Sequence, residues 1–454
     1  MPEIPPHDPR YRRDLSDGLV ARWSAPVDLP GIQELYRYVF RESPEAPLNT
    51  YAAEWAADFA DGRHPLGGPG DFALVEETHR GAIVAALIVM RQPFEYAGVR
   101  LAVGRPEFVA SHPDYRNRGL VRAIFDMFHA RSAARGDDLQ AITGIEYYYR
   151  QFGYEYALDL ASGYVVPFSA IPPLKEGECE VYALRDATSD DMPLLLRLYA
   201  RDRARVPIST PIDEPYWHWM LDGQRDAAGK GWRPQIVSDT DGTPAGYVLM
   251  RRLRAGAYLD VSAIGFEAGV PPAAALPAVL RALRDRAPSL PGWTSLKDPK
   301  PVANLRLFLG RDHPFYALLS EENGARRWPP YAWYIRVPNV PALIQRLAPA
   351  LERRLAGSPL AHHTGELKLD FYRSGLRLAF AQGRLVAAEP WQTGPWGPEV
   401  DGSCPPLVFL QLLFGHRSLA ELGHAFPDVW VNAPARPLVE ALFPPVSSWA
   451  LPLD

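Results

Sequence analysis

Apolar residues along this chain switch between two spacings, and the switches mark out its elements. Leu19-Val20-Ala21-Arg22-Trp23 reads as a strand. Asp28-Leu29-Pro30 then reads as a helix N-cap with proline in the first turn, ahead of Ile32, Leu35 and Tyr36 on one helical face. Tyr51, Trp55 and Phe59 stand four residues apart and predict an aromatic helix face, more often core than a ligand surface. Residues 72–75 and 82–88 read as strands joined by a hydrophilic hairpin. The short apolar strand Phe108-Val109-Ala110 follows, then a Pro113-Asp114 turn and the run Arg116-Asn117-Arg118-Gly119-Leu120. That run opens a helix with Leu120, Ile124 and Phe128 on one stripe, closing at Gly136, where a left-handed C-cap costs little. A strand over 139–143 and the segment 149–154 complete the unit.

The opening then recurs. Arg22, Asp28, Pro30, Leu35 and Tyr36 return as Arg185, Asp191, Pro193, Leu198 and Tyr199 at the same mutual spacings, which predicts a duplicated domain. The copy has its own hairpin across Asp241-Gly242, but after 259–264 it reads GFEAGVPPAAALPAVLRAL, with no arginine or lysine ahead of the helix. From about Trp328 the pattern changes again: an amphipathic helix over 341–355, two alternating strands (Leu367/Leu369/Phe371 and Leu376/Leu378/Phe380), an apolar helix over 406–415 and a capping box from Ser418 to Glu421. These breaks divide the chain into a tail at 1–17, free to drape over a neighbouring subunit, and units at 18–170, 171–324 and 325–454.

The turn at 116–121 has chemistry. A strand, a glycine turn and a helix N-terminus leave first-turn N–H groups unpaired beside the positive end of the helix dipole, and Arg116 and Arg118 add full charges. This is an anion site, and a diphosphate would fit it. Composition adds exclusions. A net charge of -5 with no long basic run argues against nucleic acid. No apolar window reaches membrane-span length, and the polar, proline-rich start is no signal peptide, so a cytoplasmic location is expected. Cys179 and Cys404 read as isolated thiols, and His362-His363 lacks further ligands at metal spacing, so no metal site is expected. Ser111 and Ser262 lack a nucleophile-elbow context, which argues against a hydrolase.

Arg116, Gly119 and Val121 fill the three defined positions of a motif that resembles the coenzyme A pyrophosphate loop of the GNAT superfamily of N-acetyltransferases, with valine in place of the last small residue. Tyr149-Arg150-Gln151-Phe152-Gly153-Tyr154 is similar to the Tyr-x-x-x-Gly-Phe/Tyr signature that closes the same core. The order of units, with RNRGLVRA and YRQFGY, resembles the enhanced intracellular survival family. That resemblance implies an α/β (α+β) fold of two tandem GNAT-like mixed-sheet domains, the second degenerate, and then a sterol-carrier-protein-like α+β domain.

It also implies acetyl-CoA as co-substrate, a primary amine as acceptor (aminoglycoside-like, polyamine or lysine side chain) and a homo-oligomer, a hexamer in that family. Backbone and side chains of Phe108, Val109, Ser111, Arg116, Asn117, Arg118, Gly119, Leu120 and Val121 are the expected coenzyme contacts. Tyr149 is carried over as the proton donor to the departing thiolate, and Asp454 as the base through its α-carboxylate. Glu107 is the rival base, although a glutamate at a strand edge is more often solvated. The competing class is a binding protein, an acyl or lipid carrier or a coenzyme A-dependent regulator on the same scaffold.

Overall fold

Alternation becomes strands that run well past the segments read from sequence. In the computed structural model, which describes residues 4–225, 231–292, 300–392 and 400–454, the first stretch forms β1 (Arg12–Asp14), β2 (Leu19–Trp23), β3 (Phe72–Glu77), β4 (Ala82–Tyr96), β5 (Val99–Ser111), β6 (Leu139–Ile142), β7 (Glu155–Leu160) and β8 (Gly163–Pro167). β4 and β5 pair from Tyr96↔Val99 to Ala85↔Ser111, so the short strands expected at 82–88 and 108–110 are one end of a long ribbon. Its two faces are covered differently. Helix α1 (Leu29–Val39) and α2 (Thr50–Ala60) bury Tyr36, Trp55 and Phe59 against Leu74, Ile88 and Met90, while α3 (Leu120–Ala134) buries Ile124, Phe125 and Phe128 against Val75, Leu87 and Val89. Alternate residues of the same strands serve opposite cores, as the pleat requires.

The expected free tail is part of this sheet. β1 pairs with β2, and the Trp23 indole donates to the Pro6 carbonyl at 2.8 Å, which ties the segment down on its own chain. Residues 1–3 lie outside the described residues.

The second stretch forms β9 (Tyr182–Asp186), β10 (Ile208–Ser209), β11 (Trp232–Asp239), β12 (Pro244–Arg251), β13 (Tyr258–Phe266), β14 (Asn304–Leu307), β15 (Arg326–Trp328) and β16 (Tyr331–Arg336). Helix α4 (Met192–Arg203) repeats α1, and α6 (Pro272–Arg286), after the short α5 (Glu214–His218), repeats α3. The sequence echo has a physical basis. Arg22 forks onto Asp28 at 2.7 and 2.6 Å, Arg185 onto Asp191 at 2.7 and 2.7 Å, and each aspartate also accepts from the N–H three residues before it. The aspartate side chain therefore closes the turn before the helix.

The main path of the first sheet runs β1-β2-β3-β4-β5-β6-β16-β7, and the second sheet runs β9-β11-β12-β13-β14-β8-β15. Placed side by side, each has one central strand supplied by the other half: β16 sits between β6 and β7, and β8 between β14 and β15. The boundaries expected near 170 and 325 are therefore crossed by two strands. Both faces of these strands are covered, and Trp333, Tyr334, Ile335, Val165 and Val166 are all buried.

The third region forms α7 (Val340–Ala356), β17 (Gly365–Asp370), β18 (Gly375–Ala381), β19 (Arg384–Trp391), β20 (Gly402–Ser403) and β21 (Trp430–Val431), in the order β19-β18-β17-β20-β21. Its apolar helix α8 (Val408–Leu413) is core, packed in one cluster with Leu347, Leu378 and the far end of the β4–β5 ribbon at Phe94, Leu101 and Val103. The capping box forms at α9 (Leu419–Ala425), with Ser418 and Glu421 exchanging bonds. β22 (Ser448–Trp449) then pairs with β10, which also pairs with β4, so the last residues run between the two units. Tandem GNAT-like mixed sheets followed by a further α+β unit are thus the architecture of this chain.

Candidate active site

The site is made by two strands that part. β5 and β6 run parallel but pair only at Val103↔Leu139 and Gly104↔Gln140; beyond that point they diverge. The gap is a cleft of about 320 Å³, walled by Glu107, Phe108 and Val109 on one side and Thr143, Gly144 and Tyr149 on the other. At the same height β5 bulges. The register jumps from Ile88↔Glu107 to Ala86↔Ala110, so Phe108 and Val109 oppose one residue, and Phe108 takes a left-handed φ of 50°. Such a backbone is unfavourable for a side chain of this size and persists only where its surroundings hold it. Here the Phe108 ring lies 4.3 Å from Trp55 and 5.5 Å from Tyr36, which explains why α1 and α2 carry that aromatic face.

β5 ends at Ser111 and the chain turns through Pro113–Tyr115 into the basic loop. Asn117 at φ 62° and Gly119 at φ 74° bend it sharply onto the start of α3. Arg116, Asn117, Arg118 and Gly119 are exposed, while Leu120 is buried and so offers only its backbone to the loop side. Left-handed turns before a helix N-terminus make anion-binding concavities. Arg122, which the motif reading passed over, is exposed on the same first turn with its guanidinium 5.3 Å over the Phe152 ring. His112, in the turn after β5, stacks on Tyr38 at 4.8 Å.

Tyr149 is buried and packs 5.8 Å from Phe125 and 5.4 Å from Tyr334 of the exchanged strand. Burial, and next the Glu107 charge, push its hydroxyl well above the ordinary tyrosine range, so it stays protonated. Of the neighbouring tyrosines, Tyr147 is exposed and Tyr154 is buried with its hydroxyl 3.0 Å from His129 Nε2.

Glu107 is not the solvated side chain expected at a strand edge. Its carboxylate lies 2.8 Å from Arg105 Nη2 with only 12% of the side chain exposed. Burial raises its pKa, Arg105 opposes that rise and Asp454 adds to it. Arg105 is 1% exposed and bonds in four directions: to Glu107, to Gln92 Oε1 at 3.1 Å, to the Leu453 carbonyl at 2.7 Å and to Asp454 Oδ1 at 3.0 Å. Asp454 Oδ2 lies 2.8 Å from Arg251 Nη1 of the second unit. The Asp454 side chain therefore stands one guanidinium behind the carboxylate that faces the cleft. Arg105 carries no motif, and its role could be found only once residues 348 and 349 positions further on had been brought to it.

The second unit lacks this loop. Between β13 and α6 lies Glu267, paired with Arg197 at 2.5 Å, and the helix opens on Pro271 and Pro272. Among the described residues no group of three or more His, Cys, Asp or Glu could hold a metal ion, and no helix is long and apolar enough to cross a membrane.

Residues 22–157 match the family model described as an acetyltransferase (GNAT) domain, and the first unit of this chain is a GNAT domain. The whole chain has the fold of a GCN5-related N-acetyltransferase from Kribbella flavida (18% identity, 96% of this chain and 98% of that one, TM-score 0.63) and of a probable N-acyltransferase from Enterococcus faecalis V583 (15%, 96% and 99%, 0.62). It is also similar to Eis1 from Mycobacterium abscessus (15%, 96% and 98%, 0.55), in keeping with the resemblance carried by RNRGLVRA and YRQFGY. No protein of curated function matches the sequence.

Proposed function

We propose that the first unit moves an acetyl group from acetyl-coenzyme A to a primary amine by direct attack, with no covalent enzyme intermediate. The single observation that carries this reading is the cleft where β5 leaves β6, which has Glu107 on one wall and Tyr149 on the other, on the strand that leads to the basic helix start. Arg116, Arg118 and the N–H groups of residues 118–121 hold the diphosphate. The pantetheine arm lies along β5 at Val109 and Ser111 as an added strand would. The N–H groups freed by the bulge polarise the thioester carbonyl. The neutral amine forms the new C–N bond, the C–S bond breaks, Tyr149 protonates the thiolate and Glu107 takes the amine proton. The Asp454 main-chain oxygen, expected as part of the base, accepts from the Tyr216 hydroxyl at 2.7 Å, and the Asp454 side chain acts through Arg105 as a group that positions Glu107. Acceptors of the aminoglycoside, polyamine and lysine type all present such an amine.

Thiol release from acetyl-coenzyme A with a panel of these amines tests the reading; coenzyme binding without amine-dependent release on any of them would favour a carrier or regulator. In the same assay Arg116→Ala with Arg118→Ala should raise the KM for the coenzyme at least about tenfold, since each charge-assisted contact contributes about 1.5–3 kcal/mol. An unchanged KM would remove the loop from the site. Because the helix start of the second unit carries prolines and a neighbouring glutamate, calorimetric titration should give one coenzyme per chain, and two equivalent sites would contradict that.

A further inference from the structure

The second unit retains the cleft after losing the loop. Its β12–β13 register jumps from Met250↔Val261 to Leu249↔Ala263 and skips Ser262, a bulge on the strand pair that matches β4–β5. Where β13 leaves β14 after Val261↔Leu307, a cavity of about 280 Å³ remains, close in size to the cleft of the first unit. The slot between the parting strands is filled from within the chain. The Trp449 indole donates to the Ser262 carbonyl at 3.1 Å and to the Phe308 carbonyl at 3.2 Å, one acceptor on β13 and one just past β14. An indole bonded across both strands shuts the route a pantetheine arm would take and leaves the cavity beside it for something smaller.

The cavity walls say what that is. Arg306 forks onto Asp260 at 2.5 and 2.8 Å and lies 4.7 Å over the Tyr258 ring and 5.4 Å over Trp328. Arg251 lies 3.5 Å over Trp232, and its Nη1 lies 2.8 Å from Asp454 Oδ2. Arg306 reaches Asp260 through Nε and Nη2, which leaves Nη1 for a ligand, and Arg251 turns Nη1 to Asp454, which leaves Nε and Nη2. The carboxylates that line it already have guanidinium partners: Asp260 has Arg306 at 2.5 Å, and Asp159 has Arg311 at 2.6 Å. A partly enclosed space with guanidinium donors, lining carboxylates already paired and indole walls selects an anion on a flat apolar body.

We propose that this cavity is a second ligand site, specific for a small planar carboxylate of the aryl acid class, with Arg306 and Arg251 on the carboxylate and Trp328 and Trp232 against the ring. It is separate from the acetyl-transfer cleft, so its test reads binding with no turnover. Ligand-observed NMR and calorimetry on the full chain would use benzoate and indole-3-acetate, with benzamide and indole-3-acetamide as neutral controls and inorganic phosphate as the bare anion. The acids should bind at least about tenfold more tightly than their amides and than phosphate. Saturating acetyl-coenzyme A should leave that binding in place, and so should Arg116→Ala with Arg118→Ala. Arg306→Met should lower it by about tenfold or more. Since that change leaves Asp260 without its partner, Arg306→Met with Asp260→Asn serves if the single variant fails to fold, and Trp328→Leu should weaken the acids by removing a ring face alone. The proposal falls if no acid binds up to about 10 mM, if acid and amide or phosphate bind alike, or if binding survives loss of the Arg306 guanidinium.

Discussion

Tyr149→Phe is expected to lower kcat by about 10²–10⁴-fold, the loss typical of a missing general acid, while leaving coenzyme affinity and fold intact. The fold should survive because the ring, not the hydroxyl, makes the contacts with Phe125, Tyr154 and Tyr334. Thiolate leaves readily, so the lower end of that range is the expected value. The buried hydroxyl is held above the ordinary tyrosine range, first by burial and then by Glu107, and so carries a proton to give at neutral pH. The measurement needs an accepted amine under conditions where chemistry limits turnover. A Tyr149→Phe enzyme with wild-type kcat there would mean that the residue only fills space.

Arg105→Met is expected to be the most destabilising single change in the site. The guanidinium is 1% exposed and stands between two carboxylates, so its removal leaves Glu107 and Asp454 buried without it and facing one another. Breaking a buried ion pair from one side costs about 3–5 kcal/mol, mostly the penalty of the stranded charge. Because the chain has several units, local stability is the useful readout: native-state hydrogen exchange of β5 amides should quicken by about 10²- to 10³-fold. Adding Glu107→Gln should restore part of the loss, since it removes the stranded Glu107 charge while Asp454 keeps Arg251 as its partner. Exchange unchanged from wild type would show that Arg105 does not hold these groups.

Much of the fold was legible because it rests on local rules. The segments read as strands at 19–23, 72–75 and 82–88 lie inside real strands, the stripe on Leu120, Ile124 and Phe128 is α3, and Ser418 with Glu421 caps α9. The repeat was legible through Arg22–Asp28 and Arg185–Asp191 because a turn closed by a fork needs the same two residues at the same spacing each time. Residues 108–121 were legible as one strand–turn–helix stretch for a similar reason: strand, left-handed turn and helix start follow in chain order.

The sequence by itself thus determined the elements, the duplication and the basic loop present in one copy only. Tertiary structure alone decided which strands complete which sheet and which charge stands behind Glu107. β16 reaches the first sheet from across the entire second unit, bringing Tyr334 against Tyr149, and the chain's last residues return to place Asp454 on Arg105 and Trp449 in the second cleft. None of these contacts has a local signature, because an apolar strand can be buried by any matching edge and a carboxylate can pair with any buried guanidinium. Their partners are fixed only when the whole chain packs, and in this protein the packing exchanges a strand between two halves of the same design.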